Sequence, residues 1–341
     1  MKCTNFTFKG EEGLDIYTYK WEDENIKKPK AVIQIAHGMA ETAQRYETFA
    51  KVLTKNGYIV YINDHRGHGK TAKIIENVGH LAEKEGFRCL VEDMYTLTNI
   101  IKKENEDLPI YLFGHSMGSF ASQRYIMDYS NNLAGLILCG SNGKQGIILN
   151  LAHLIINREI KKYGRRSKSN KINNLIKKLW RISKTYFSMQ NFMKQEPCDF
   201  SHGRFRFGGE IIRRNEKTKF DWLSRDKEQV EKYINDPFCG VVCSCGFFYD
   251  LVQGLKEIED KENLKKVPLD IPIYIISGDK DPIGKNGKGV LRLRDRYIKL
   301  GVKDVTCKLY KDGRHELLNE INREEVFEDI ICWLNNKIEI L

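Results

Sequence analysis

Ile110-Tyr-Leu-Phe-Gly114-His115-Ser116-Met117-Gly118 is a short apolar run that delivers a serine between two glycines and continues into the helix-friendly stretch Ser119-Phe-Ala-Ser-Gln-Arg-Tyr125. A Gly-x-Ser-x-Gly sequence at a strand-to-helix turn forces the serine into a strained, exposed conformation, and the glycines let strand and helix approach closely. The strain presents a nucleophile. The bare pattern is common, so its weight comes from its place after a buried-strand signature and before a helical one.

Working outward, residues 31–36, 58–63, 110–113 and 133–139 are continuous apolar runs of strand length. They are separated by amphipathic segments that predict helices over 45–56, 87–104 and 117–129, with Gly57 where a C-terminal cap is expected. This alternation is the signature of a parallel sheet buried on both faces, and hence of a doubly wound α/β architecture. Residues 4–8 and 14–21 read as an antiparallel pair at the sheet edge. After Cys139 the alternation stops; 271–277 and 305–310 resume it, and 322–337 reads as a last helix. Residues 142–250 are therefore expected to form a helical cap inserted into a core of 1–141 and 251–341.

The chain has 341 residues, of which 41% are hydrophobic, enough for one core carrying a sizeable insertion. Its first twenty residues contain Lys2, Lys9, Glu11, Glu12, Asp15 and Lys20 and no apolar stretch of signal-peptide length. No later run approaches the roughly 18 apolar residues that span a bilayer, so the expected location is the cytoplasm. Nine cysteines, scattered from Cys3 to Cys332, fit reduced thiols better than a disulfide framework. Cys239, Cys243 and Cys245 cluster without a second ligand pair or a histidine near them in sequence, so no metal is expected there.

A serine hydroxyl is a poor nucleophile at neutral pH and needs a histidine to take its proton and a carboxylate to orient that histidine. In this architecture the reacting groups lie beyond the carboxyl ends of the strands. His315 follows the strand over 305–310, and Asp279 and Asp281, in Ser277-Gly-Asp-Lys-Asp281-Pro, follow the strand over 271–277. The residues alone leave both aspartates open as the acid. His115 adjoins the serine in the chain, which points its side chain elsewhere, so it is not read as the base. Backbone N–H groups best stabilise a developing oxyanion. Met117 at the helix start supplies one, and Met39, in His37-Gly38-Met39-Ala40 after the first buried strand, the second. Asp64-His-Arg-Gly67-His-Gly69-Lys70 lacks phosphate-loop spacing and a carboxylate in ligand register; it reads as a turn bracing the active-site face.

These segments together resemble the serine α/β-hydrolases of the monoacylglycerol lipase and lysophospholipase group, also called serine aminopeptidase-like. The resemblance rests on Ala36-His-Gly-Met-Ala-Glu41 with Arg45-Tyr46, Asp64-His-Arg-Gly-His-Gly69, Gly114-His-Ser-Met-Gly118, Ser277-Gly-Asp-Lys-Asp-Pro282 and His315, and extends to Phe220-Asp-Trp-Leu-Ser-Arg-Asp226 and Asp236-Pro-Phe-Cys-Gly240. It implies the α/β-hydrolase fold, with a mostly parallel eight-stranded sheet, and the chain order Ser116, Asp281, His315, the acid standing three residues after Gly278. It implies an ester hydrolase that needs no cofactor and acts through an acyl-enzyme. The apolar cap and the resemblance together point to a single-chain lipid ester, of the monoacylglycerol or lysophospholipid type. The alternatives are an aminopeptidase or short-acyl carboxylesterase on the same residues, or a non-enzymatic basic binding module.

The cap matches the family least. Arg158, Lys161, Lys162, Arg165, Arg166, Lys168, Lys171, Lys177, Lys178, Arg181 and Lys184 face one acid, Glu159, an excess equal to the chain's net charge of +10. Ile172, Leu175, Ile176, Leu179 and Trp180 share one face of a basic amphipathic helix there. That helix reads as a lid with solvated charges, or as one whose basic face also rests on anionic lipid, making the protein peripheral at the membrane. No interleaved aromatic platform points to nucleic acid. The apolar helix expected over 147–160 is suited to line an acyl-chain pocket, through Ile148, Leu151 and Ile155.

Overall fold

The computed structural model describes residues 1–179 and 218–339. Eight strands, β1 (Lys2–Lys9), β2 (Asp15–Glu22), β3 (Ala31–Ala36), β4 (Tyr58–Asn63), β5 (Ile110–His115), β6 (Gly135–Cys139), β7 (Ile273–Gly278) and β8 (Val305–Tyr310), form one sheet in the order β1-β2-β4-β3-β5-β6-β7-β8. β1 pairs antiparallel with β2, and β2 with β4; every later pair is parallel. The helices are α1 (Glu47–Lys55), α2 (Gly86–Glu104), α3 (Met117–Tyr129), α4 (Ile148–Tyr163), α5 (Asn170–Leu179), α6 (Lys227–Asn235), α7 (Cys245–Glu257), α8 (Lys261–Leu264), α9 (Lys288–Leu300) and α10 (Arg323–Ile338). This is the α/β-hydrolase fold.

Strands β3 to β7 are buried at every position because helices cover both faces of the sheet. On one face Phe49 and Leu53 of α1 and Phe327, Ile330 and Leu334 of α10 pack on Ile33, Ile35, Tyr111 and Phe113. On the other, Met94 of α2, Phe120 and Tyr125 of α3, and Leu293 and Tyr297 of α9 share a cluster with Leu112, Leu136 and Ile275. The one polar residue of β3, Gln34, is satisfied by the Met94 carbonyl, 2.8 Å away, and by the Thr98 hydroxyl, 2.6 Å away. A parallel sheet needs such crossover helices.

Two departures from the sequence reading bear on the site. α9, which joins β7 to β8, was not expected, although its buried Val290, Leu293 and Tyr297 follow helical spacing. α7 runs straight through the expected end of the insertion at residue 250: its Phe247, Leu251 and Leu255 pack in the same cluster as Phe120 and Tyr125. The same cluster takes in Leu149, Ala152 and Ile156 of α4, so α7 packs against the core and the expected cap together.

The basic cap segment is anchored by acids far away in the chain. Arg165 reaches Asp250 at 2.6 Å, and Arg166 reaches Glu83 at 2.7 Å. Ser167 and Arg165 accept the Cys245 and Gly246 N–H groups at the start of α7. Arg158, Lys161, Lys162 and Lys168 stay exposed. Ile172 and Ile176 of α5 are buried, whereas Trp180, Arg181 and Lys184 lie outside the described residues.

Candidate active site

β5 ends at His115, and Ser116 turns the chain into α3 with φ +51° and ψ −116°. That conformation is costly for a residue with a Cβ and persists because the strand and helix on either side are fully packed. The Ser116 N–H is tied to the Cys139 carbonyl of the neighbouring strand at 3.0 Å. A side chain at Gly118 would overlap the Ala36 and His37 carbonyl oxygens, so glycine there lets α3 sit against the loop after β3.

The loops after β7 and β8 bring two further residues to this point. His315 Nε2 lies 2.9 Å from Ser116 Oγ, and His315 Nδ1 lies 3.0 Å from Asp281 Oδ2. Asp281 is fully buried; its Oδ1 accepts the Ile283 N–H at 2.8 Å, and its Oδ2 also takes the Ser277 hydroxyl at 3.3 Å. Of the two aspartates left open by sequence, Asp281 is the one that meets the histidine. Asp279 keeps about a third of its side chain exposed, 32%, and pairs with Lys280. Trp222 lies over the His315 ring with centroids 5.0 Å apart, and its carbonyl accepts the His315 N–H.

Met117 opens α3 directly after the serine, and Met39 follows Gly38, whose position abuts Ser116 Cβ, in the loop after β3. Among the described residues neither N–H has an acceptor. For Met117 this follows from its place in the first helical turn. The Met39 loop is held from outside by the cap: the Ala40 carbonyl, in a residue with φ +56°, accepts the Gly240 N–H and the Tyr233 hydroxyl, each at 2.9 Å.

The Asp64–Lys70 turn braces the same loop. Asp64 accepts the Ala43 N–H at 2.8 Å and the Lys70 N–H at 2.9 Å, and Arg66 is locked on the buried Asp93 at 2.7 Å. His37 Nε2 accepts the His65 N–H at 2.9 Å, so its Nδ1 carries the proton and donates to the Gly38 carbonyl at 2.7 Å. The rings of His37, His65 and His68 cluster in full burial, and His65 Nε2 and His68 Nε2 have no partner among the described residues.

This cluster makes the fold acid-sensitive. Burial lowers the pKa of all three histidines below the ordinary 6.5, to about 3 for His68. The unfolded chain therefore binds more protons in that window, so the stabilisation is complete above pH 6.5 and is lost as pH falls through the folded values. His115, whose pKa is raised, works in the opposite sense and holds its stabilisation below 6.5. Each depressed histidine contributes up to about 1.4 kcal/mol per pH unit. The urea midpoint should fall steadily from pH 7 to pH 5; a flat midpoint would contradict the neutral, buried cluster.

The three residues expected to line an acyl pocket share one side of α4 but differ in burial. Ile155 is half-buried against the core, but Ile148 and Leu151 are 44% and 54% exposed, beside the exposed Ile147 and Leu154. Their side of α4 faces outward among the described residues. Sequence reading assigned no role to Trp222 or Tyr233, and cited Glu41 and Arg45 only as part of a motif; none of them carries a local signal for its contact with the loops around Ser116.

Comparison with known proteins shows the family of the chain. Residues 27–322 match the model of a family described as serine aminopeptidase, S33. The monoacylglycerol lipase of Mycolicibacterium smegmatis is 25% identical over 96% of this chain and 95% of its own length. A probable lysophospholipase L2 of Haemophilus influenzae is 30% identical, over 88% of this chain and 82% of its own. Among solved structures, a thermostable carboxyl esterase of Bacillus coagulans, in complex with glycerol, superimposes with a TM-score of 0.81 at 29% identity, covering 99% of both chains.

Proposed function

Because the chain belongs to the serine aminopeptidase S33 family of α/β-hydrolases, we propose that it cleaves the carboxylic esters of single-chain lipids, monoacylglycerols or lysophospholipids, through an acyl-enzyme on Ser116. It is a hydrolase acting on esters; the substrate class and the steps are the proposal. The observation that carries it is the continuous chain from Ser116 Oγ through His315 to Asp281, at 2.9 and 3.0 Å, flanked by two amides with no acceptor among the described residues.

In this reading His315 Nε2 takes the Ser116 proton as Oγ attacks the ester carbonyl. The oxyanion is held by the Met39 and Met117 N–H groups. Collapse breaks the ester C–O bond, and His315 returns the proton to the departing alcohol. A water then repeats the sequence: His315 takes its proton, the hydroxyl attacks the acyl carbon, and the fatty acid leaves as Ser116 regains its hydrogen. Asp281 keeps the proton on Nδ1 so that Nε2 can accept.

The lipid assignment is supported by the full-length similarity to a monoacylglycerol lipase. The exposed apolar side of α4 next to Arg158, Lys161 and Lys162 supports peripheral contact with anionic lipid through residues 158–184. Among the described residues no helix is long and apolar enough to cross a membrane. The likeness to a carboxyl esterase favours a second reading, hydrolysis of short-chain esters.

A chain-length series of nitrophenyl esters separates the two. If the acyl chain is buried, kcat/KM rises about fourfold per methylene, the equivalent of about 0.8 kcal/mol, until the pocket is full. An optimum at acetyl, or a requirement for a free α-amine tested with an aminoacyl anilide, would sink the lipid reading. Anionic vesicles should stimulate cleavage of the longer esters at low salt and lose that effect at high salt.

A further inference from the structure

Behind the serine lies a buried ionic cluster that the proposed steps leave without a role. Glu41, 3% exposed, receives bonds from its own segment, residues 38–46, and from the elbow. Its Oε1 accepts the Gly38 N–H at 2.5 Å, the Tyr46 hydroxyl at 3.0 Å and His115 Nδ1 at 3.0 Å. Its Oε2 accepts Arg45 at 3.0 Å. Arg45 in turn forks onto Glu316 with two bonds of 2.6 Å, and Glu316 is the residue after His315. His115 Nε2 lies 3.3 Å from the His315 carbonyl.

Both ring nitrogens of His115 face acceptors, the Glu41 carboxylate and the His315 carbonyl, so the surroundings favour the doubly protonated, cationic ring. Burial opposes that charge, but the Glu41 bond and charge outweigh it and raise the His115 pKa. Burial likewise opposes the Glu41 carboxylate, yet His115 and Arg45 hold its pKa well below the usual range. Two carboxylates and two cations thus balance in a space whose residual cavity, about 10 Å³, has room for one water at most. A paired and fully bonded cluster of this kind is tolerable in the interior, whereas removing one member strands the others.

The connectivity is specific. Gly38 precedes Met39, His115 precedes Ser116, and Glu316 follows His315. A Cβ at Gly38 would meet Glu41 Oε1 at 2.5 Å, His115 Nδ1 at 3.1 Å and Ser116 Cβ at 3.2 Å, so loop and elbow are in direct contact there. With the Gly38 N–H turned inward onto Glu41, the next N–H along the chain is the free one.

We propose that Glu41 is the positioning residue of this site: its carboxylate fixes the Met39 loop against the Ser116 elbow and, through Arg45 and Glu316, fixes the His315 loop to both. It touches no reacting atom, and the inference rests on the reading of Ser116, His315 and the Met39 amide given above.

The test uses the full chain with Glu41→Gln, a soluble short-chain nitrophenyl ester, and active-site titration with a fluorophosphonate. Loss of alignment predicts a kcat per titrated site lower by about a hundredfold, the scale of a misplacement of about 1 Å. KM should change by less than about threefold, since ground-state binding is untouched. The inhibition constant of a trifluoromethyl ketone, which mimics the tetrahedral oxyanion, should rise by the factor by which kcat/KM falls. A merely structural residue would instead reduce the titratable fraction and leave kcat per site unchanged, which overturns the proposal. Should Glu41→Gln not fold, His115→Gln cuts the elbow's ties to Glu41 and to the His315 carbonyl and leaves Glu41 on Gly38, Tyr46 and Arg45. It should lower kcat per site and ketone affinity together by about tenfold, and unchanged values again overturn the proposal. A wild type that is not titrated, or a Ser116→Ala protein that stays active, fails the catalytic reading itself. Normal titration with an unimpaired Glu41→Gln fails this inference alone.

Discussion

Ser116→Ala should lower kcat on any ester the protein cleaves by about a millionfold, while the protein still folds. The side chain supplies the only atom in the proposed steps that becomes covalently bound to the substrate. Its loss costs the structure one hydrogen bond, that to His315 Nε2 at 2.9 Å, so stability should change by about 1 kcal/mol or less. The strained backbone, φ +51° and ψ −116°, is held by the packing of β5 and α3 and should persist in the variant. His315→Ala should lose nearly as much activity, and the double variant no more than either single one, because a base without its nucleophile has nothing to activate. Fluorophosphonate labelling, read on the same preparations, should vanish with Ser116→Ala. Labelling that survives, or single losses that multiply in the double variant, would place the chemistry elsewhere.

The elbow could be read from sequence because every determinant of it is local. Its strand is apolar up to Gly114, its glycines stand where backbones meet, and its helix follows at once. The buried strands are legible for the same reason: in Tyr58–Asn63 every position is buried, and no strongly polar residue interrupts the run before Asn63. What surrounds the serine was not legible in this way. Arg45 and Glu316 are separated by 271 positions, and Arg165 and Asp250 by 85, yet each pair closes to 2.6 Å. A charge reads as solvated until the partner that buries it is known. The basic excess at 158–184 was weighed against Glu159 alone, whereas Glu83 and Asp250 arrive from core elements. The end of the insertion is harder to read, because α7 is apolar and packs against α3 and α4 alike, so in sequence it looks like one more helix of an insertion.

Asp281→Asn should reduce kcat by about ten-thousandfold, and Asp279→Asn by less than about twofold. Ser116 needs His315 Nε2 as an acceptor, which requires the ring proton on Nδ1. The Asp281 carboxylate, 3.0 Å from Nδ1, can only accept and therefore selects that tautomer. An asparagine amide in its place can donate to Nδ1 and so favour the tautomer with Nε2 protonated, in which the base is blocked although every heavy atom is in position. The Ile283 N–H and the Ser277 hydroxyl already bonded to Asp281 hold the variant side chain in the same pocket, so the loss should fall on kcat rather than on folding or KM. Asp279 makes a different kind of contact: about a third exposed, 32%, it pairs with the exposed Lys280 at 3.5 Å through Oδ2, and such a pair contributes about 1 kcal/mol or less. Both residues stand in the same Gly-Asp-Lys-Asp-Pro turn, so the pair of variants separates a carboxylate that sets a tautomer from one that shapes a turn. Comparable losses from the two, or a larger loss at Asp279, would mean that the turn itself, and not the bond to His315, is what the site depends on.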